Sequence, residues 1–391
     1  MAYVTAAQTI VSDSRQRDHH DIVGRWQGSV VHSECTLHQI APYIGKMKSS
    51  MAAALVSEFS RKGDVICDPF CGAGTVALEA WSLGRQVTAC DLSPYAVLLT
   101  RAKLSPPSSV NAALAEVDTA AKHVASRLGR VDLRRVPRWV REFFHNETLR
   151  EVLAWTSVLQ EHNSEFLLAC LMGILHHQRP GFLSYPSSHT VPYLRQVKFP
   201  PKEFPELYQY RPVRERLERK VARAMKRLPP LPRETYRICL SMSADQLAPN
   251  RQVNAIITSP PYMRQLDYGR DNRLRLWFLG CKDWSTLDET ISPSETRFLK
   301  LMTSCLSHWR SLLLPGGVCV LVLGDSRSRL YGMPLPDVVA HIARENVGGY
   351  TVQSRYTESI PYDRRVRRGY CGSLAETVLV LRKESGDQNG D

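Results

Sequence analysis

Two short strings hold the residues of this 391-residue chain whose types and spacing could do chemistry. The first, DPFCGAGT (68–75), ends an apolar run in an acid and passes through two glycines toward a helical pattern. The second, TSPPY (258–262), starts 183 positions after the first ends and closes another apolar run on two prolines. In the first string, Gly72 and Gly74 remove side chains where backbone must approach a ligand or take unusual dihedrals. The string is not G-x-G-x-x-G and lacks the lysine of a phosphate-binding loop, so a pyrophosphate is not the expected guest. Asp68, at the end of its strand, would repel phosphate and suits an ammonium. Asp91 closes the next strand 23 positions later, where a carboxylate can take both ribose hydroxyls. Asp245, in SADQLAP after a third strand, is placed to accept from an adenine amino group, although aspartate there also serves as a helix cap.

The second string suits a different partner. Pro260 and Pro261 fix φ and leave no amide donor on either residue, so the turn is stiff and its carbonyls are free to accept. With the Ser259 hydroxyl they can receive hydrogen bonds from an NH2 group. An exocyclic amine of cytosine or adenine is a poor nucleophile, because its lone pair is delocalised into the ring. Acceptors that hold its N–H bonds out of plane localise that pair. Tyr262 can stack on a base turned out of its helix and fix the plane. Positioning and desolvation then carry the rate, with no strong base required. Attack at a ring carbon would call for a Pro-Cys pair after this strand, and none is present.

The elements that must position these residues alternate. Val65–Cys67, Gln86–Cys90, Tyr236–Leu240, Val253–Thr258 and Val318–Leu323 are short apolar or β-branched runs of the kind buried on both faces of a sheet. Helical patterns follow at Val76–Leu83, Pro94–Leu104 and Pro293–Leu314, the last with Ser292 as its expected N-cap and Pro315-Gly316-Gly317 as its stop. Met51, Ala54, Leu55 and Phe59 mark a helix ahead of the first strand. Tyr350–Glu358 and Glu376–Lys383 complete an α/β, doubly wound, Rossmann-like sheet of seven strands as a terminal pair. The spacing divides the chain into a loose polar arm (1–30), a domain split into 31–104 and 236–383, a largely helical insertion (105–235), and a polar tail (384–391) expected to be disordered. Helices are expected in the insertion at Glu142–Gln160, Glu165–His177 and 213–228.

Composition narrows the class. Apolar residues make up 43% and charged residues 23%, as in a globular protein rather than a disordered or fibrous one. A net charge of +13 admits a polyanionic partner without requiring one. Among ten cysteines only Cys67 and Cys71 lie close together, with no second pair, so no metal site is expected and reduced thiols fit a cytoplasmic compartment. The longest apolar run, Phe166–Leu175, is half of the ~20 residues that span a bilayer, and no membrane association is expected.

On DPFCGAGT, TSPPY and HQIAPYIGKMK (38–48), the chain resembles the amino-group (cytosine-N4 or adenine-N6) DNA methyltransferases that use S-adenosylmethionine. These strings are similar to that family's cofactor motif, its catalytic motif and the segment that walls the methionine end of the cofactor. The resemblance covers 31–104 and 236–383. It implies S-adenosylmethionine as cofactor, held by Tyr43, Lys46, Asp68, Phe70, Gly72, Gly74, Thr75, Asp91 and Asp245. It also implies duplex DNA as partner, its flipped base held by Ser259, Pro260, Pro261 and Tyr262. Serine before the two prolines is the more frequent choice of the cytosine-N4 enzymes, so cytosine N4 is favoured over adenine N6. Family members usually place target recognition after the third strand or beyond the sheet. Here the bulk precedes that strand, so the insertion could read DNA or pair protomers.

Basic residues are the remaining candidates for nucleic-acid contact. Arg211, Arg214, Arg216, Arg219, Lys220, Arg223, Lys226 and Arg227 crowd one helical stretch, where a solvated face is the bland alternative. Arg364, Arg365, Arg367 and Arg368 lie between two aromatics in YDRRVRRGY. Asp267, Arg270 and Arg273 follow the catalytic turn and could line a base pocket, or belong to an amphipathic helix. His19-His20 and His176-His177 lack partners at ligand spacing and read as polar surface. RNA base methylation ranks second, since the roughly 30 residues before Ser33 leave little room for an RNA-capturing domain. A cofactor-binding regulator without catalysis ranks lower, because TSPPY is intact, and a nicotinamide oxidoreductase shares only the sheet. A prokaryotic chain of this kind would associate with the nucleoid. A cognate restriction or defence partner and the oligomeric state stay open.

Overall fold

The computed structural model describes residues 22–26, 33–177, 181–186, 197–262, 266–360 and 374–385. Alternation along the strands decides the layering. In β-structure successive side chains face opposite ways. In the strand Leu313–Gly324, Val318, Val320 and Val322 enter one apolar layer while Cys319, Leu321 and Leu323 enter the other. Val253–Thr258 does the same, with Ala255 and Ile257 on one side and Val253 and Ile256 on the other. Neither face is left for water, which is why these runs read as continuously apolar.

Seven strands form one sheet: β1 (Val65–Asp68), β2 (Gln86–Asp91), β3 (Arg237–Ser241), β4 (Val253–Thr258), β5 (Leu313–Gly324), β6 (Tyr350–Ser359) and β7 (Ala375–Lys383). Their order is β3-β2-β1-β4-β5-β7-β6. β1 to β5 are parallel, and β7 inserts antiparallel between β5 and β6. This is the doubly wound, Rossmann-like arrangement, with the order of strand addition reversing between β1 and β4. Ile66 pairs with Ala255 and Cys67 with Ile256, so the DPFCGAGT and TSPPY turns leave neighbouring strands at one edge. That edge is where such sheets bind ligands.

Helices cover both faces. α1 (Ser49–Phe59), α2 (Thr75–Ser82) and α3 (Pro94–Leu104) lie on one side, α3 opening with Pro94 in its first turn as the sequence predicts. The 105–235 segment contributes α4 (Val110–Arg127), α5 (Asn146–Glu161), α6 (Glu165–Leu175) and α7 (Val213–Ala224). After β4 come α8 (Tyr268–Phe278), α9 (Trp284–Ile291), α10 (Glu295–Leu312) and α11 (Leu335–His341). α10 and α11 close the second face.

Several expectations are corrected. α10 starts at Glu295 behind Ser294, not at Pro293 behind Ser292. Ser292 instead ends α9, and its hydroxyl accepts the Tyr268 N–H at 2.8 Å. Pro315-Gly316-Gly317 is not a helix stop but part of β5, inside the irregularity that separates the Val253–Leu313 and Ala255–Val318 pairs. The polar arm is not loose throughout, since Ile22 and Trp26 are buried in the core. His176 is not surface: it is buried and its Nδ1 lies 2.7 Å from the Ser184 hydroxyl. The helices of the insertion share one apolar cluster with β1, β2 and α1 to α3. α6 is apolar all round, with every residue from Phe166 to Leu175 buried. The rest of the arm, residues 361–373 with the four-arginine loop, and tail residues 386–391 lie outside the described residues.

Candidate active site

A cleft with about 910 Å³ of atom-free space, its mouth included, opens where β1, β2, β3 and β4 end. It is lined from one side by Asp68, Phe70, Gly72, Thr75 and Asp91, and from the other by Ser259 and Pro261. Tyr43 and Lys46 form part of the wall between them. Residues from distant parts of the chain thus meet in one volume, of the size that holds a nucleoside-sized ligand.

The glycine turn is held by its own geometry. Gly74 precedes the first residue of α2 with φ of 69°, a left-handed conformation that disfavours a side chain. A Cβ there would also lie 2.7 Å from Thr100 Oγ1 and 2.9 Å from Thr100 Cα. Gly74 therefore shapes the turn from behind and does not itself line the cleft. Gly72 has φ of 47°, and a Cβ on it would press on the Tyr43 ring at 3.3 Å. Asp91 fastens the turn to β2: its two carboxylate oxygens accept from Gly72 N at 2.9 Å and Ser93 N at 2.8 Å. Each oxygen keeps a second lone pair for a ligand hydroxyl.

Asp68 is buried at the cleft floor and accepts from the Thr258 hydroxyl at 2.8 Å. The same hydroxyl oxygen accepts from Phe70 N at 3.1 Å, so Thr258 ties the exit of β4 to the exit of β1. Burial pushes Asp68 up to about 7, against the Thr258 hydrogen bond, which lowers it. Burial also raises Asp91 to about 6, partly offset by its backbone donors. Both carboxyls are thus poised for a cationic or hydroxyl-bearing guest to draw them into the ionised form. The hydroxyl of Thr75, a residue of the cleft lining, is buried without a hydrogen-bond partner among the described residues. These residues fit the amino-acid and ribose parts of S-adenosylmethionine. Asp245 does not reach the cleft; its carboxylate takes the Ser243 and Ser304 hydroxyls, and Met242, Ser243 and Ala244 line the cavity instead.

Behind the turn lies a polar cluster that the sequence reading passed over. Lys103, on α3, is buried and donates to the Ala73 carbonyl. Burial lowers it to about 7, with Lys46 pushing the same way. Lys46 donates to the His38 carbonyl at 2.8 Å. His38 Nε2 sits 2.6 Å from Glu79 Oε1. Burial lowers the imidazole well below its usual value and raises Glu79 to about 7, so this contact is a hydrogen bond between groups both driven toward neutrality. A lysine inside the apolar run PYAVLLTRAKL was the available signal.

On the opposite wall, the Ser259 hydroxyl donates to the Val322 carbonyl at 3.3 Å and lies beside the Tyr262 phenol. Pro260 is buried beneath the turn, and Pro261 faces the cavity. Tyr262 is half-buried behind Pro261 and does not itself line the cavity; its phenol donates to Glu376 on β7. Tyr268, the first residue of α8, completes this wall with its ring 6.3 Å from Tyr43. No short motif announced Tyr268, which lines the cleft, or Glu376, which meets the catalytic turn through Tyr262.

The cationic candidates separate. Arg270 is exposed and Arg273 lies over the Trp139 ring of the insertion at 5.5 Å; neither lines the cleft. Much of the basic stretch is engaged inside the protein. Arg211 is buried and donates to the Phe182, Ser184 and Leu207 carbonyls. Arg214 pairs with Asp118 and Glu218, and Lys220 donates to the Gln39 carbonyl at 2.7 Å. On α7, Arg223 is exposed and Arg216 is half-buried.

Comparison with known proteins places the cofactor wall. Residues 6–101 match the family model for N6/N4-type enzymes described as DNA methylase. A 68-residue stretch is 32% identical to the type II methyltransferase M.MjaII of Methanocaldococcus jannaschii, covering 17% of this chain and 13% of that protein. Among solved structures, TrmN from Thermus thermophilus superposes with a TM-score of 0.36 at 15% identity, over 89% of this chain and 52% of that one. The rRNA methyltransferase aviRa from Streptomyces viridochromogenes gives 0.34 at 11%, over 91% and 96%. Superpositions this loose carry no argument about function. No described helix is long and apolar enough to cross a membrane. The segment that builds the glycine turn is thus similar to the N6/N4-type DNA methylases, and the residues around that turn fit S-adenosylmethionine.

Proposed function

We propose that the protein transfers a methyl group from S-adenosylmethionine to the exocyclic amino group of a base flipped out of duplex DNA, with cytosine N4 favoured over adenine N6. One observation carries the reading: the glycine turn and the Ser259–Pro261 turn line a single cleft at the switch between β1 and β4. The cofactor, when bound, supplies an electrophilic methyl on a sulfonium. The protein's part is placement. Asp91 and Asp68 receive hydroxyl and ammonium donors at the cofactor end. Ser259 and the carbonyls freed by the two prolines accept the amine N–H bonds, which turns the nitrogen lone pair out of the ring plane. Tyr262 holds the plane of the base. The proton released from nitrogen passes to water, since the methylated, protonated amine is strongly acidic.

The test is transfer of labelled methyl to unmodified duplex DNA, followed by mass analysis of the nucleosides. N4-methylcytosine is the expected product. Pro260→Ala or Tyr262→Ala should lower kcat by at least about 100-fold. The affinity of either variant for S-adenosylhomocysteine should stay within about threefold of the parent. N6-methyladenine would reverse the choice of base, and label found on RNA alone would remove DNA as substrate.

A further inference from the structure

β7 runs against its neighbours, so its beginning, not its end, reaches the edge where β1 and β4 finish. Glu376 pairs there with Gly324, the last residue of β5, and with Glu358 across on β6. Two carboxylates directly opposite on adjacent antiparallel strands destabilise the pair unless each finds its own partner. Here each does. Lys48, just ahead of α1, binds Glu358 at 2.7 Å, while the Tyr262 phenol donates to Glu376. Lys48 also faces Glu376 and Tyr268 lies near it, and burial pushes the Glu376 carboxyl up. Of the strand-end carboxylates at this edge, Asp91 and Asp68 face the cofactor end, whereas Glu376 is turned to the one aromatic of the catalytic turn.

A tyrosine that supports a flipped base must keep its ring from swinging about χ1 and χ2. The Gly45 backbone lies beside the Cδ2 edge of the ring, close enough that a side chain there would stand 3.7 Å from it. The phenol oxygen restrains the other end of the ring, donating to Glu376 with the Ser259 hydroxyl beside it. We propose that Glu376 is a positioning residue for methyl transfer, fixing the plane of the Tyr262 ring by accepting its phenolic hydrogen from an adjacent strand. The inference rests on the reading of the cleft given above. Lys48 serves it indirectly, by occupying Glu358 so that Glu376 stays available to the tyrosine. Because Lys48 immediately follows the cleft-lining Lys46 and Met47, the same contacts join the base wall to the loop over the cofactor.

The experiment compares Glu376→Ala, Glu376→Gln, Tyr262→Phe and the Tyr262→Phe/Glu376→Ala double variant in the full-length chain. Unmodified genomic duplex DNA and labelled S-adenosylmethionine are the probes. Removing the acceptor or the phenol should each lower kcat by about tenfold with KM for DNA and cofactor affinity within about twofold, because positioning acts on the transfer step. The double variant should be no worse than either single one, since both delete the same hydrogen bond. Glutamine keeps an acceptor oxygen and should restore kcat to within about threefold of the parent. A melting curve is taken for each variant. If Glu376→Ala does not fold, Tyr262→Phe with and without Glu376→Gln completes the cycle, and the glutamine should then have no further effect. The proposal is overturned by unchanged kcat in Tyr262→Phe, by multiplicative losses in the double variant, or by a well-folded Glu376→Gln as impaired as the alanine. Absence of methyl transfer to DNA by the parent protein is a separate outcome, and it overturns the reading of the cleft itself.

Discussion

The two walls of the cleft are built differently. The cofactor wall is short-range: Asp68, Gly72, Gly74 and Thr75 fall within eight residues, Asp91 follows on the next strand, and local backbone donors hold it in place. The base wall is assembled from far apart. Thr258 reaches back to Asp68, Ser259 to Val322 on β5, and Tyr262 forward to Glu376. Local pattern suffices for a pocket that takes the same small molecule in every turnover. A turn that must receive a base from a polymer takes its rigidity from the sheet around it.

The largest effect expected from this contrast falls on the cofactor wall. Gly74→Ala forces a side chain into a left-handed conformation and against the Thr100 backbone, a cost of about 2 kcal/mol or more. Calorimetry should show S-adenosylhomocysteine binding weakened by at least about 30-fold. Affinity for DNA should be little changed, because the base wall is anchored elsewhere. Equal loss of both would mean that the walls do not behave independently.

A second measurement separates the walls by protons. Asp68 and Asp91 sit at about 7 and about 6 in the folded protein, above the ordinary 3.8. Their protonated forms therefore stabilise the ligand-free fold fully below pH 3.8, and that contribution is lost as pH rises through about 6 to 7. A guest with an ammonium and ribose hydroxyls binds the ionised forms better. Binding of S-adenosylhomocysteine between about pH 6 and 7 should release a fraction of a proton up to about one, read as heats that vary with buffer ionisation enthalpy. Asp68→Asn should shrink the release; DNA binding alone should give none from this pair.

The smallest effect concerns the outer surface. Charge reversal at Arg216 and Arg223 should weaken duplex binding about tenfold, irrespective of sequence, and flatten its salt dependence by about one to two ions. Unchanged affinity would shift the contact to Arg364, Arg365, Arg367 and Arg368.

What could be read from the sequence follows the same division. All seven strands were legible; burial on both faces leaves unbroken apolar runs in β1, β4 and the second half of β5, whereas β6 alternates half-buried and exposed positions, and Val253–Thr258 matches at both ends. The β1–β4 adjacency followed from topology. Tyr268 and Glu376 were not legible, since neither lies in a motif and each reaches the site only through tertiary contacts. Lys103 was hidden as an ordinary cation on a helix. The basic stretch misled in the other direction: Arg211 and Lys220 look like polyanion contacts in a string and are internal props in the fold. The insertion read as an added module because chain order separates it from the sheet, whereas packing does not.

Gly173, near the C-terminal end of α6, gives that last point a practical edge. A methyl group there would lie 2.1 Å from the Ile40 carbonyl oxygen, so the helix rests directly on the peptide chain leading to Tyr43. Arg275 of α8 grips the same end of α6 through the Met172 and His176 carbonyls, at 3.1 and 2.6 Å. Anyone wishing to redirect this protein to a new target by exchanging 105–235 for a foreign reading head would pull away the ceiling over the methionine pocket and the brace of the segment after the proline turn. The transplant would go blind to its cofactor before it had a chance to recognise different DNA.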